Sequence, residues 1–277
     1  MALLSLNNLT FTYSRPNLLD GITLHIERGE RIGLVGRNGA GKSTLMKLIA
    51  GLLKPDDGSV DLQSEAVVAR LDQEVPSGGN STAFEMAAEG FGPLCGAVSD
   101  YRNLGHKLHE GVELTAKELK SYEKASHAIA DADEWSAADR LDALLIEMQL
   151  PPDVKYSSLS AGMKRRVLLA AAMIREPDVL LLDEPTVYLD LKHQLQFYDI
   201  VERMNVERRI TIISVTHDIN LAARYARRMI AIRSGQIAAD GTPEDVLTPR
   251  HLYDIFEITA DVLTRPDGRG RYIVPTS

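Results

Sequence analysis

Gly36-Arg37-Asn38-Gly39-Ala40-Gly41-Lys42-Ser43 fits the pattern G-x-x-x-x-G-K-[ST], and Thr44 follows it. Glycines in such a loop let backbone N–H groups turn inward around phosphate oxygens, and a helix that starts just beyond adds its partial positive charge. In that setting Lys42 neutralises the β- and γ-phosphates of a nucleotide, and the Ser43 hydroxyl ligates Mg²⁺. Far downstream, the apolar run 179–182 is followed by Asp183-Glu184. A buried strand there delivers two carboxylates at its C-terminal end. Asp183 can hold the Mg²⁺ shell, and Glu184 can orient and polarise an attacking water. An Asp-Glu pair alone is as often two solvated acids at a strand end; the phosphate loop upstream weighs against that. The residues therefore predict a site for ATP and Mg²⁺ that can hydrolyse the nucleotide.

These groups need elements to hold them. Residues 3–13 and 17–27 alternate apolar and polar side chains, which suits strands. Residues 31–35 are apolar at consecutive positions and read as a buried parallel strand feeding the glycine loop. A helical pattern follows through Leu45, Leu48 and Ile49 and stops at Gly51, and short strands continue to about Gln73. From 81 to about 150 strand-like runs vanish and the pattern is helical. Thr115 with Glu118 predicts a capping box before 116–130. Trp135, Leu141, Leu144, Leu145 and Met148 form a stripe at helical spacing, expected to pack in a core. From Ser160 the α/β pattern returns: helix 167–174, strand 179–182, helix 191–204, strand 210–215 and helix 219–228. Residues 229–233 and 236–239, joined by Ser234-Gly235, read as a hairpin. Thr242 and Pro243 open a further helix, and Pro266-Asp267-Gly268 marks a second hairpin.

Composition bounds the rest. The chain has 277 residues, 44% hydrophobic and 25% charged, enough for one large α/β domain with a substantial core or for one domain with a subdomain. No apolar run approaches the roughly 18 residues that span a bilayer, and the first residues lack the pattern of a signal peptide. A single cysteine, Cys95, excludes a disulfide framework and suits a reducing cytoplasm; it is expected to be a small buried apolar group. A net charge of −8 argues against global attraction to nucleic acid. His106, His109 and His127 have no Cys or carboxylate completing a metal site and are expected at the surface.

Three further motifs stand in a fixed order, and with them the sequence resembles the ABC (ATP-binding cassette) ATPases. Leu159-Ser160-Ala161-Gly162-Met163 is similar to the signature LSGGQ, about twenty residues before the Asp-Glu pair. Gln73 sits where the family has its Q-loop glutamine, and His217 where it has its switch histidine. Tyr13 occupies the place of the aromatic ring that stacks on adenine, and Leu189-Asp190 matches the D-loop. The resemblance runs from about residue 3 to 239. It implies an α/β fold: a P-loop NTPase (RecA-like) core with an N-terminal antiparallel β subdomain and an inserted α-helical subdomain. The cassette would fill 1–240, with the helical insert at about 74–164, and 241–277 would be a C-terminal helix and hairpin extension. It also implies two cassettes packed head to tail, each ATP held by the P-loop of one and by Ser160, Ala161 and Gly162 of the other. Glu184 would act as base, His217 would hold the γ-phosphate and the water, and Gln73 would touch Mg²⁺. Two positions depart from the common signature: Ala161 adds a methyl where Gly is usual, and Met163 replaces Gln.

The two halves of the chain lean towards different branches. VGRNGAGKSTLMKLIAG, RLDQE, DEWSAADRLDALL and LSAGMKRRVLLA resemble the ABC-F group, which acts on ribosomes, and the 86 positions from Gln73 to Leu159 are longer than is usual in importer subunits. DEPTVYLDLKHQLQFYDIVERMN and ISVTHDINLAARYARRMIAIRSGQIAADGTPEDVL resemble ATPase subunits that import iron–siderophore, haem or cobalamin. Charge separates them: residues 95–150 carry 6 Lys/Arg against 11 Asp/Glu, a poor surface for RNA. The expectation is an ATP-hydrolysing transporter subunit on the cytoplasmic face of a membrane, driving separate transmembrane permease subunits. The ribosome-acting role is the alternative. A P-loop kinase has no need of LSAGM or His217.

Overall fold

A computed structural model describes residues 2–71, 73–265 and 270–276. Strands β1 (Leu4–Phe11) and β2 (Leu19–Ile26) lead to β3 (Arg31–Val35), whose five residues are all buried. The glycine loop and helix α1 (Lys42–Ile49) follow, then β4 (Asp57–Leu62) and β5 (Val68–Leu71). The chain next forms α2 (Ala83–Ala88), a 3₁₀ turn, α3 (Cys95–His109), α4 (Ala116–Asp131), α5 (Ala137–Glu147) and α6 (Ala161–Met173). Strand β6 (Val179–Asp183), α7 (Leu191–Arg208), β7 (Thr211–Val215) and α8 (Ile219–Tyr225) restore the alternation. The hairpin β8 (Arg228–Arg233) and β9 (Gln236–Gly241), short helices α9 (Pro243–Val246) and α10 (Pro249–His251), and strands β10 (Ala260–Thr264) and β11 (Arg271–Pro275) complete it.

The chain divides into two compact units. The first comprises Met1–Gln73, Pro177–Val187 and Tyr198–Ser277, the second Glu74–Glu176 and Tyr188–Phe197. In the first unit a six-stranded sheet runs β5-β6-β7-β3-β8-β9. Its first five strands are parallel, and β9 pairs antiparallel with β8. An antiparallel sheet β2-β1-β4 lies in the same unit. The near-continuous apolar composition of β3, β6 and β7 follows from burial on both sheet faces. Val179, Leu180, Leu181 and Leu182 have no exposed surface, and each such side chain contributes roughly 1.5–3 kcal/mol. Parallel strands share one C-terminal edge, so the segments after β3, β5, β6 and β7 emerge together. Open α/β sheets bind ligands at that edge. Asn220 on α8 fixes β11 by donating to Ile273 O at 3.1 Å and accepting from Ile273 N at 2.7 Å.

The second unit is helical. Thr115 caps α4 and Glu118 returns the bond, the capping box read from the sequence. The same device opens α2 at Thr82 and Glu85, and α9 at Thr242 and Asp245, with Pro243 in the first turn. Leu141, Leu144, Leu145 and Met148 are buried as expected, but Trp135 is 56% exposed. It precedes the first residue of α5 and so lies outside the periodicity of its apolar face. Cys95 is half-buried rather than buried, because it opens α3 at a turn. His106, His109 and His127 are exposed. The turn expected at 266–268 lies outside the described residues; β10 and β11 on either side pair antiparallel. No described helix is long and apolar enough to cross a membrane.

Candidate functional site

The loop between β3 and α1 owes its course to two glycines. Gly36 has φ +147°, and a Cβ there would lie 2.4 Å from Ile232 O. Gly41 has φ +97° and stands at the N-cap of α1 without a side-chain cap, leaving the first helical amides for an anion. Lys42 is buried, its ammonium donating to Gly36 O at 2.8 Å and Arg37 O at 3.0 Å. Burial pushes this ammonium below its ordinary value, opposed by the negative charges of Glu184 and Asp183. A cation held on the loop's own carbonyls beside two carboxylates is poised to meet an entering phosphate.

Ser43 Oγ donates to Asp183 Oδ1 at 3.0 Å, bringing together residues 140 positions apart. Arg70 on β5 reaches the other oxygen, Nη2 to Asp183 Oδ2 at 3.4 Å, and both side chains are largely buried. Oxygen donors from Ser43, Asp183 and nearby Gln73 suit a hard cation such as Mg²⁺. Glu184, one residue past β6, adopts φ +48°, a left-handed conformation uncommon for a residue with a side chain. Its N–H donates to Val215 O at 3.0 Å. Its Oε1 lies 2.5 Å from His217 Nε2. His217 follows β7, and Asp218 caps α8 by accepting from Leu221 N at 2.9 Å.

These groups line one cleft of ≈ 330 Å³, bounded by Leu18, Asn38, Gly39, Gly41, Lys42, Ser43, Thr44, Gln73, Glu184 and His217. Its lining contains a phosphate cradle, a cation position and a carboxylate–imidazole pair, a donor set fit to bind and cleave a nucleoside triphosphate. Other expected residues are not part of that lining. Arg37 is exposed and ion-paired with Glu257, and Ala40 N donates to Arg37 O at 3.2 Å. Tyr13 is 65% exposed, with its ring edge-on to Phe11 at 4.9 Å between centroids. In the second unit Ser160 is the N-cap of α6, accepting from Met163 N at 3.3 Å. Ala161 is exposed, Gly162 is buried, and Asp190 bonds His193. Leu18 and Arg70 escaped sequence reasoning, since neither belongs to a motif; the one signal for Arg70 is that it is the single charge in the run 68–71.

Residues 19–187 match the family model described as "ABC transporter". The chain is 36% identical over 239 residues to the ATP-binding protein Uup of Haemophilus influenzae. That alignment covers 86% of the chain and 36% of Uup, so the chain spans little more than a third of that relative's length. It is 33% identical over 283 residues to the "Probable siderophore transport system ATP-binding protein YusV" of Bacillus subtilis, covering 99% of the chain and 96% of YusV. Among solved structures, the dimeric structure of MJ0796, a bacterial ABC transporter cassette, superposes with a TM-score of 0.61 at 24% identity, over 86% of this chain and 98% of that one.

Proposed function

The chain belongs to the ABC transporter family, and we propose on that premise that it is an ATP-hydrolysing subunit that powers import through separate transmembrane permease subunits. The observation that carries this reading is the single cleft in which Lys42, Ser43, Gln73, Glu184 and His217 converge. ATP lies with its phosphates against the amides of 36–44 and against Lys42, with adenine towards Tyr13. Ser43, Asp183 and Gln73 hold Mg²⁺, which when bound neutralises charge developing on the phosphates. Glu184 accepts the proton of a water attacking the γ-phosphorus as the bond to ADP breaks, and His217 fixes Glu184 and the γ-phosphate. Ser160, Ala161 and Gly162 contact the ATP of a second copy, and Asp190 lies at that dimer interface. The dimeric structure of MJ0796 supports an association of two copies.

The name and near-complete overlap of YusV support a part in the transport of a siderophore or similar chelate, and the direction proposed is import. The chain then works on the cytoplasmic face of the membrane, without direct contact with nucleic acid. The stretches of the sequence that resemble the ABC-F group keep the ribosome-acting role as the alternative. The test is a pull-down of tagged Glu184→Gln from its native cells, with ATP and Mg²⁺ in mild detergent. A polytopic membrane protein is the expected companion; ribosomes in its place would overturn the importer reading.

A further inference from the structure

The signature segment and the start of α7 meet within the second unit at one point. A Cβ built on Gly162 would lie 2.9, 3.1 and 3.2 Å from Cδ2, Cγ and Cβ of His193, its three nearest atoms. The imidazole therefore lies flush on the Cα of Gly162, which is why Gly162 is buried although it stands in the first turn of α6. The ring is fixed from its other side. Nδ1 is 2.8 Å from Asp190 Oδ1, and the same oxygen accepts from His193 N at 2.9 Å. Gln194 extends the clasp, donating through its N–H to Asp190 O at 2.9 Å and through Nε2 to Leu189 O at 3.0 Å. The two bonds to His193 hold the Asp190 carboxyl below its ordinary range.

We propose that His193 is a positioning residue, a wedge clamped by Asp190 that sets the signature turn at Ser160–Ala161–Gly162 for contact with the partner's ATP. The inference rests on the reading above, in which that turn reaches across the dimer. A clamped imidazole makes the first turn of α6 follow Asp190, so the D-loop and the signature of one cassette move as one piece. It also gives Gly162 a second reason to lack a side chain: a methyl there evicts the ring and breaks its bond to Asp190.

The test is a double-mutant cycle in a Glu184→Gln background. ATP-driven dimerisation is followed by light scattering, and amide hydrogen exchange at 162–164 is followed in the nucleotide-free monomer. His193→Ala should weaken dimerisation about tenfold, in the range expected for a packed coupled contact, and speed exchange at 162–164. His193→Asn, which can still bond Asp190, should recover most of the loss. Gly162→Ala should be damaging alone but cost less than about threefold more when added to His193→Ala, because the two nearest atoms it strikes, Cδ2 and Cγ, are gone and only Cβ at 3.2 Å remains. Monomer ATP affinity should hold throughout. Multiplying losses in the double variant, or unchanged exchange in His193→Ala, would overturn the wedge. A Glu184→Gln parent that stays monomeric with ATP would instead overturn the trans-signature reading, and the exchange measurement would still decide the wedge.

Discussion

Replacing Glu184 by glutamine separates binding from hydrolysis, and the local geometry sets how far. Glutamine matches glutamate in size. The backbone at 184 stays anchored by its bond to Val215 O at 3.0 Å, and φ +48° is no harder for glutamine than for glutamate. The amide can still pair with His217 Nε2, now 2.5 Å from Oε1. Lys42, Ser43 and Asp183 keep their bonds to one another and to the loop. What disappears is the proton acceptor. General-base catalysis contributes roughly 10²- to 10⁴-fold, or about 3–6 kcal/mol of barrier at about 1.4 kcal/mol per tenfold. We therefore expect kcat to fall by that factor while nucleotide affinity stays within about threefold. The assay is single-turnover phosphate release alongside equilibrium binding of a fluorescent ATP analogue. His217→Ala should lower kcat too. Because the two side chains act as a unit, the double variant should be little worse than Glu184→Gln alone. A Glu184→Gln protein within tenfold of the wild-type kcat, or a double variant whose losses multiply, would refute the base assignment.

Three further expectations concern other parts of the chain. Ser160→Arg places a long cation at the N-cap of α6 and should abolish ATP-driven dimerisation while leaving monomer ATP affinity within about threefold, read by light scattering and fluorescence; loss of monomer binding would contradict a role in trans. Glu118 is held at a pKa of about 2, first by its bond to Lys107 and then by Thr115; a depressed carboxylate stabilises the fold above its ordinary value of 4.5 and loses that contribution as pH falls towards 2. The melting difference between wild type and Glu118→Gln should accordingly be full at neutral pH and shrink through that acid window. Asn205 is buried and donates to Gly29 O at 2.9 Å and Ile210 O at 2.7 Å; Asn205→Ala strands two carbonyls and should cost about 2–4 kcal/mol, seen as a lower urea midpoint.

Local rules carried the sequence reading as far as local rules act. The glycine loop, the capping box at Thr115 and the β8–β9 hairpin are each specified within a few residues. The 3.6-residue period placed Leu141, Leu144, Leu145 and Met148 in a core but misplaced Trp135, since a period says nothing about where a helix begins. The sheet order was less legible: β3 pairs with β7 and β8, which come much later in sequence, and parallel pairing leaves no turn between partners to read. The left-handed backbone of Glu184 depends on its bond across to β7, not on its neighbours in sequence. Nor could spacing reveal Arg70 on Asp183, or His193 on Gly162. Those contacts exist because strands and helices distant in sequence happen to end side by side.

The charge pattern of the helical insert bears on which machine the cassette drives. Of the six cations in 95–150, Arg102 is committed to Asp142 and Asp153, Lys107 to Glu118, and Arg140 to Glu134 and Glu176. Lys117, Lys120 and Lys124 on α4 remain, exposed and without an ion pair among the described residues. Three phosphate contacts would give a salt slope of only about −2 to −3, and eleven acidic side chains in the same stretch oppose even that. An insert gripping ribosomal RNA needs a larger electrostatic contribution than these residues provide. A permease surface makes no such demand. The insert therefore fits the importer reading even though its length resembles the arm of a ribosome-acting protein.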